Sequence, residues 1–303
     1  MEKEISLYLH SLELQNYSQS TLKQTDIILT KLAKFLQRHN KFNAVDVVES
    51  DLLNFVLEVK NRKSQFTGES LASATVSFYV SYIRNFFKFL KEKDFIYSDP
   101  AAKLRFPRRG AKLPRSFFTE EEIESILRVI DVNDKFGIRD RALLELLYST
   151  GMRSQEILFL AVNDVDFSKE LVFVENGKGN KERLVPAGKR ALFWVEYYIE
   201  NSNGRKKILR GKERSSLFVS LHGTPMKNYH LNQRINTYKA KAGISKIGGA
   251  HSFRHSCATH MLRHGADIRY VQELLGHDRI STTTVYTRVS LNHLKEAYHK
   301  VLS

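Results

Sequence analysis

The sequence predicts a mainly α-helical protein with a small antiparallel β-sheet, divided into a helical first domain and a mixed α/β second domain. Apolar residues recur with helical spacing through the first part of the chain. A basic, proline-containing stretch follows, and further on two alternating segments flank a glycine-rich turn. A chain of 303 residues, 42% of them hydrophobic, is long enough to fold as two domains.

The first domain, residues 1–102, is expected to contain four helices packed around one core. One helix is predicted over about residues 50–59, and three other segments carry apolar stripes at three- and four-residue steps. The stripes comprise Ile5, Tyr8, Leu9 and Leu12; Leu29, Leu32, Ala33 and Leu36; and Val76, Tyr79, Val80, Ile83, Phe86, Phe87 and Leu90.

Residues 103–116 are predicted to form a linker between the domains. Asp99 and Pro100 end the helical pattern, and Pro107 and Pro114 keep the following stretch extended. The stretch contains six basic residues and no acidic one, so it is either a solvated charged loop or a segment that follows a phosphate backbone. The basic residues are Lys103, Arg105, Arg108, Arg109, Lys112 and Arg115.

The second domain, residues 117–303, opens with two predicted helices. Thr119 followed by Glu122 is a capping-box pair ahead of an apolar run. The next helix spans about residues 140–149, and Gly151 is suited to end it because glycine adopts the left-handed conformation readily.

The small sheet is predicted from segments in the middle of this domain. Residues 170–175 and 182–186 are expected to pair as a hairpin around a turn rich in Asn and Gly, and residues 215–220 are a candidate third strand. The remainder is predicted to be helix-rich, with terminal helices over about residues 251–264, 268–275 and 282–289.

Charge and cysteine content narrow the function classes. The formal net charge of +15 favours a polyanionic partner, nucleic acid first and an anionic membrane second. Basic residues exceed acidic ones both before and after residue 110, as expected of a protein that surrounds its ligand with both parts of the chain. The single cysteine, Cys257, fits a reducing compartment, and no apolar run is long enough to span a bilayer. We therefore expect a cytoplasmic protein without a secretory signal.

Two arginines and two other groups could hold and cleave a phosphodiester. Arg153 falls where a helix is predicted to begin, with Ser154 as the expected cap. His251 and Arg254 lie three residues apart on a predicted helix, so their side chains share a face. Lys178 lies between two glycines at the predicted turn, where it is either a solvent-facing lysine or a general acid for a departing hydroxyl.

The histidines near the end of the chain are not expected to bind a metal ion. His251 with His255, and His260 with His264, have the i, i+4 spacing of zinc ligands. The two pairs lie about 180° apart around a helix, and no cysteine or carboxylate cluster completes a four-ligand set.

Tyr286 is the candidate nucleophile. It follows a Ser/Thr-rich run that would start a helix, and His277 precedes that run. With 13 tyrosines in the chain, a half-buried core position is the commoner fate of any one of them. The candidacy of Tyr286 therefore depends on the residues that accompany it.

Taken together, four segments resemble the tyrosine recombinase (phage-integrase-like) family, and within it the Xer-type recombinases. The matching segments are TGMRSQEI around Arg153, NGKGNKERLVP around Lys178, HSFRHSCATHML around Arg254, and LLGHDRISTTTVYTRV around His277 and Tyr286. The helical first domain and linker resemble the family's SAM-like core DNA-binding domain. Because helices are predicted almost from the start of the chain, the arm-binding domain of larger phage integrases is not expected.

The resemblance implies a reaction and a role for each motif residue. The family cuts and rejoins DNA strands through a covalent 3′-phosphotyrosyl intermediate, without metal, ATP or other cofactor. Arg153 and Arg254 are expected to clamp the scissile phosphate, and Lys178 is expected to protonate the leaving 5′ oxygen. The remaining roles fall to His251 as general base or proton holder, His277 as hydrogen-bond donor to the phosphate, Glu156 as the acid that steadies the arginine and histidine, and Tyr286 as nucleophile.

The resemblance also implies partners. These are a double-stranded DNA target site and a tetramer on two synapsed duplexes, formed by this chain alone or with a related recombinase; a DNA translocase as activator stays open. Residues 293–302 are expected to form a helix that docks into a neighbouring protomer or folds back on its own domain. The linker residues, Lys181 and Arg183 are predicted DNA contacts, in a protein associated with the nucleoid.

Three other functions remain open at this point. A type IB topoisomerase-like enzyme would share the chemistry but relax DNA without pairing two sites. A DNA-binding protein of the same fold without catalysis would be expected to lack the tyrosine or an arginine, and both are present. A helical adaptor with an incidental basic surface would not show salt-sensitive DNA binding.

Overall fold

Helices dominate the chain and a small antiparallel sheet interrupts them, which confirms the predicted fold class. The structure is a computed structural model that describes residues 1–63, 68, 70–107, 117–134, 136–175, 182–201, 203–209 and 215–276. Residue contacts divide the chain into two units, residues 1–113 and 114–303. Within the described ranges, no helix has the length and apolar character needed to cross a membrane.

The first unit contains the four predicted helices around a single apolar core. The predicted stripes face that core, and Leu29, Leu36, Val80, Phe86 and Phe87 are completely buried. A short 3₁₀ turn precedes the third helix. The helices are α1 Glu2–Leu14, α2 Gln19–Arg38, α3 Glu49–Asn61 and α4 Ser73–Glu92.

The second unit begins with the predicted capping box. Thr119 Oγ1 accepts from the backbone N–H of Glu122, and the Glu122 carboxylate accepts from the N–H of Thr119. Gly151 ends the second helix with φ of +58°, as predicted. The helices are α5 Glu120–Arg128, α6 Gly137–Thr150, α7 Ser154–Phe159, α8 Lys189–Glu200, α9 Arg205–Leu209, α10 Asn228–Lys241, α11 Ala250–Arg263 and α12 Ile268–Leu275.

The sheet contains the predicted hairpin but a different third strand. Its strands are β1 Val165–Asp166, β2 Leu171–Val174 and β3 Arg183–Pro186, antiparallel in the order β1-β2-β3. The prediction of a strand over residues 215–220 is wrong, because this segment makes only isolated bridges, at Ser216 and Val219. Its successive apolar residues are all buried, so the segment passes through the core and does not lie half-exposed on a sheet.

Helix α6 connects the core of the second unit to the candidate site. It is buried on almost every side. Asp140 in its first turn accepts hydrogen bonds from the Arg139 guanidinium and from the Tyr238 hydroxyl at 2.7 Å. Because Tyr238 belongs to α10, this buried cluster joins the two helices. The opposite end of α6 leads through Gly151 to Arg153.

The start of the second unit is anchored on α11. The backbone N–H of Phe118 donates to the fully buried Ser256 Oγ at 2.8 Å, and the Phe118 ring packs edge-on against Phe253. Both partners lie beside Arg254 in the sequence. The entry of the chain into this unit is therefore attached to the helix that carries two of the predicted site residues.

Candidate active site

Arg153 lies at the N-terminus of α7, where its backbone and side chain both contact Glu156. The Arg153 N–H donates to Glu156 Oε2 at 2.8 Å, and Nη1 donates to Oε1 at 2.8 Å. Arg153 itself is the N-cap residue, so the expectation that Ser154 caps this helix is wrong. A carboxylate three residues on accepts the free amide, and no serine hydroxyl is needed.

Arg254 is the second arginine of the site and is almost entirely buried. Its exposed fraction is 6%, and it donates from Nη1 to the carbonyl of Gly151 at 2.8 Å and from Nη2 to the carbonyl of Leu275 at 2.6 Å. Burial, together with the positive charge of Arg153, lowers the pKa of Arg254 to about 10. The guanidinium still carries its charge at neutral pH.

The two arginines converge on the C-terminal end of α12. Arg153 Nη2 donates to the carbonyl of Gly276 at 2.9 Å, one residue beyond the carbonyl of Leu275 that Arg254 holds. Gly276 adopts a left-handed conformation with φ of +60°, which ends the helix and leaves these carbonyls free of helical partners. Two cationic groups are thus held side by side by backbone acceptors.

His251 lies in the first turn of α11, one turn before Arg254, and it is exposed. The turn that precedes it is held by α10: Asn232 Oδ1 accepts from the N–H of Ala250 at 3.1 Å, and Lys239 Nζ donates to the carbonyl of Gly248 at 2.9 Å. Lys239 is itself buried, and burial lowers its pKa. Side chains of α10 therefore fix where the His251 helix begins.

Glu156 is bound by a second arginine that lies far from it in the sequence. Arg183, the first residue of β3, donates from Nη1 to Oε1 at 3.0 Å and from Nη2 to Oε2 at 2.8 Å. Burial raises the pKa of Glu156, but the hydrogen bonds from Arg183 and Arg153 outweigh it and lower the pKa to about 2. The sequence predicts Arg183 as a DNA contact and gives no sign of this pairing, because no local pattern connects β3 with α7.

Several predicted site residues lie outside the described residues. They are Lys178, Lys181, His277 and Tyr286, with the linker residues Arg108, Arg109, Lys112 and Arg115 and the terminal segments 282–289 and 293–302. Two of the six basic linker residues are described, Lys103 and Arg105, and both are exposed.

Two other histidines, one in α11 and one at its C-cap, make contacts of their own. His260 is completely buried, with Nδ1 2.8 Å from the Tyr148 hydroxyl, and His264 Nε2 lies 2.8 Å from Glu120 Oε1. Over the described ranges, no three His, Cys, Asp or Glu side chains are grouped as metal ligands. The chemistry that the described site offers is the binding of an anion by two fixed guanidinium groups. The imidazole of His251 lies on the same helix as Arg254.

Comparisons with known proteins identify the relatives of this chain. Residues 116–293 match the phage integrase family. The chain is 43% identical over 213 residues to tyrosine recombinase XerC 2 of Ralstonia nicotianae, a match that covers 70% of this chain and 60% of that protein. It is 35% identical over 302 residues to tyrosine recombinase XerD of Oceanobacillus iheyensis, a match that covers 98% of this chain and 97% of that protein.

Solved structures share the fold at lower identity. The Tn1549 transposon integrase in complex with a circular intermediate DNA superposes with a TM-score of 0.70 at 19% identity, over 99% of each chain. The XerH site-specific recombinase bound to its difH substrate gives a TM-score of 0.64 at 22% identity, over 93% of this chain and 80% of that one. The family match and the full-length relatives lead to one conclusion: this chain belongs to the phage integrase family, the tyrosine recombinases, and its relatives over most of its length are named Xer recombinases.

Proposed function

We propose that the protein is a site-specific DNA recombinase that cuts and rejoins strands through a 3′-phosphotyrosyl intermediate on Tyr286. The observation that carries the proposal is the pair of guanidinium groups of Arg153 and Arg254, both fixed on backbone carbonyls at the end of α12. His277 follows Gly276 directly in the sequence, and Tyr286 comes shortly after it.

The proposed chemistry exchanges one ester for another. The Tyr286 oxygen attacks the phosphorus, the bond to the 5′ oxygen breaks, and a phosphotyrosyl bond forms. The tyrosine proton passes to His251, and Lys178 protonates the departing 5′ oxygen. The reverse steps rejoin a strand and release the tyrosine. Because one phosphoester bond replaces another, ligation needs no ATP.

The arginines supply charge that matches the transition state. Negative charge grows on the non-bridging oxygens as the phosphorus becomes five-coordinate. Guanidinium groups that are already held in place need no reorganisation at that moment, and one such donor commonly accounts for about 3–4 kcal/mol of barrier lowering. His277 adds a further donor, and Glu156 keeps Arg153 oriented.

The substrate and assembly follow from the same reaction. The helical domain 1–102 and the basic linker 103–116 bind the duplex together with the catalytic domain 117–303, and the net charge of +15 favours that contact. Strand exchange requires two duplexes and therefore a tetramer, of this chain alone or with a related recombinase. The role is the resolution of chromosome dimers or the movement of a mobile element, in the cytoplasm with the nucleoid.

Covalent attachment to DNA tests the proposal. DNA that stays linked to the protein after denaturation is sequenced to find the target site, and a nicked duplex of that site is then incubated with protein and chelator. We expect a covalent adduct on a denaturing gel. Tyr286→Phe should abolish the adduct and leave DNA affinity within about twofold, whereas Tyr229→Phe, at an exposed tyrosine, should retain it.

A second assay separates the recombinase from a topoisomerase-like enzyme. Two labelled duplexes with the target site are mixed, and exchanged products are counted against relaxation of a supercoiled plasmid that lacks the site. Exchange supports the proposal. Relaxation without exchange assigns the protein to the alternative class, and an adduct formed by Tyr286→Phe contradicts the choice of nucleophile.

A further inference from the structure

We propose that Arg183 is a positioning residue for this reaction, which holds both supports of Arg153 in place and does not bind DNA. The inference rests on the proposed function, since it concerns the arginine that contacts the scissile phosphate there. It assigns Arg183 a role different from the DNA contact expected from the sequence.

The first support of Arg153 is Glu156, with which Arg183 forms a bidentate salt bridge. Both terminal nitrogens of Arg183 donate to the two carboxylate oxygens, at 3.0 and 2.8 Å. The same oxygens accept from the backbone and side chain of Arg153. The Glu156 side chain is only 3% exposed. The carboxylate therefore sits between two arginines with little access to water.

The second support of Arg153 is the carbonyl of Gly276, and Arg183 packs against that residue too. A Cβ atom built on Gly276 would lie 3.3 Å from Cζ and 3.3 Å from Nε of Arg183. The guanidinium thus lies against the bare Cα of the glycine whose carbonyl accepts from Arg153 Nη2. Arg183 therefore contacts both residues, Glu156 and Gly276, that accept the described side-chain hydrogen bonds of Arg153.

Electrostatics make this support necessary. A buried carboxylate with one arginine is poorly compensated, because burial favours its neutral form. The hydrogen bond from Arg183 is the foremost of the interactions that lower the pKa of Glu156. Without Arg183, Glu156 is expected to take up a proton or turn towards solvent, and either change would release Arg153.

Arg183 is poorly exposed for contact with a phosphate. Its side chain is 16% exposed, and each of its terminal nitrogens already donates one hydrogen bond to Glu156. Nε is buried and finds no hydrogen-bond acceptor among the described residues. Arg105, by contrast, is exposed and remains a suitable phosphate contact.

The position of Arg183 in the chain adds a second consequence. It opens β3 and pairs in register with Val174, the last residue of β2, so it closes the base of the hairpin in whose connection Lys178 lies. The ion pair with Glu156 thereby ties that hairpin to α7. A single side chain links the segment with the proposed general acid to the residue that orients Arg153.

The test compares rate and DNA affinity for Arg183→Gln, Arg183→Lys, Glu156→Gln and the double variant. Arg269→Gln serves as the matched control, because it removes the same positive charge as Arg183→Gln at an exposed position on α12. Adduct formation is measured at saturating nicked DNA, and binding is measured over a range of salt. We expect Arg183→Gln to lower the adduct rate constant about 100-fold, the effect of a small displacement of a reacting group.

Three results identify a positioning role. Arg183→Gln leaves the salt dependence of binding unchanged, whereas loss of a phosphate contact lowers its slope by about 1. Arg183→Gln has little further effect in the Glu156→Gln background, because both changes remove the same support. Arg183→Lys, which keeps the charge but loses the paired donors, is intermediate and provides the measurement should the Gln variant not fold. Arg269→Gln stays within about twofold of the parent.

Other results overturn the inference. A lower salt slope with an unchanged rate constant at saturation makes Arg183 a DNA contact, and rate losses that multiply in the double variant make it independent of Glu156. A readout that needs no activity separates this inference from the proposed function: the carboxyl ¹³C titration of Glu156, assigned with Glu156→Gln. The pKa of Glu156 should rise in Arg183→Gln. An unmoved pKa refutes the inference, whereas a parent protein that forms no adduct refutes the proposed function.

Discussion

Arg254 donates from Nη1 to the carbonyl of Gly151 at 2.8 Å, across more than a hundred residues of chain. Gly151 ends α6 and Arg153 begins α7, so this bond places one proposed phosphate-binding arginine beside the segment that carries the other. The Arg254 guanidinium is therefore both a structural link and a proposed phosphate-binding group.

Because Arg254 has both a structural and a proposed catalytic role, replacing it with lysine should reduce both the reaction rate and the stability. Arg254→Lys keeps a charge, but an ammonium cannot reach two carbonyls and also present a planar face to a phosphate. We expect adduct formation to fall at least about 100-fold at saturating DNA. Loss of one buried hydrogen bond should also lower the free energy of unfolding by about 1–3 kcal/mol in urea titrations. A lysine variant with parental rate would contradict the assigned role.

Gly276→Ala tests the contact between Arg183 and the end of α12. The residue has φ of +60°, and an added Cβ would press against the Arg183 guanidinium at 3.3 Å. Gly265→Ala is the matched control, because Gly265 has φ of +88° and nothing lies near its Cβ position. Both variants carry the backbone cost of about 1–2 kcal/mol, but only Gly276→Ala should also slow adduct formation. Equal rates in the two variants would argue against this contact.

The acid stability of the protein should depend on Glu156. Its pKa is about 2 in the folded protein against an ordinary value of 4.5. A carboxylate with a lowered pKa stabilises the fold fully above its ordinary pKa, and this contribution is lost as the pH falls towards the folded value. Between these two values, the parent should therefore lose stability more steeply than Glu156→Gln in urea titrations. Parallel curves would show that the ion pairs do not form.

Ser256 should be needed for the anchored start of the second unit. In Ser256→Ala, the buried N–H of Phe118 loses its acceptor, and the free energy of unfolding should fall by about 1–3 kcal/mol. Ser125→Ala is the control, since the Ser125 hydroxyl makes a comparable bond to a backbone carbonyl but is exposed. Similar midpoints for both variants in thermal unfolding would refute this anchoring.

The elements that could be predicted from sequence are those with local causes. Helices α2 and α4 follow from apolar periodicity, the start of α5 from Thr119 and Glu122, and the end of α6 from Gly151. Strand β1 has only two residues and no periodicity to detect. The segment 215–220 has the composition of a strand, but the surrounding core buries both of its faces, and only tertiary packing decides that.

The candidate site shows the same division. Motif spacing and family resemblance point to Arg153, Glu156, His251 and Arg254. The carbonyls that hold the arginines and the pairing of Arg183 with Glu156 join segments far apart in the sequence, so no local pattern predicts them. The roles of these four residues, like those of Lys178, His277 and Tyr286, stay predictions.

Helix α12 holds the arginines through main-chain oxygen atoms, at Leu275 and Gly276, and this bears on how such a protein can diversify. A side-chain acceptor can be deleted by one point mutation, whereas a peptide carbonyl is present whatever residue occupies the position. Exposed side chains of α12, such as Ile268 and Arg269, can therefore vary without removing the acceptors of the two arginines, as long as the glycine keeps the backbone turned at this point.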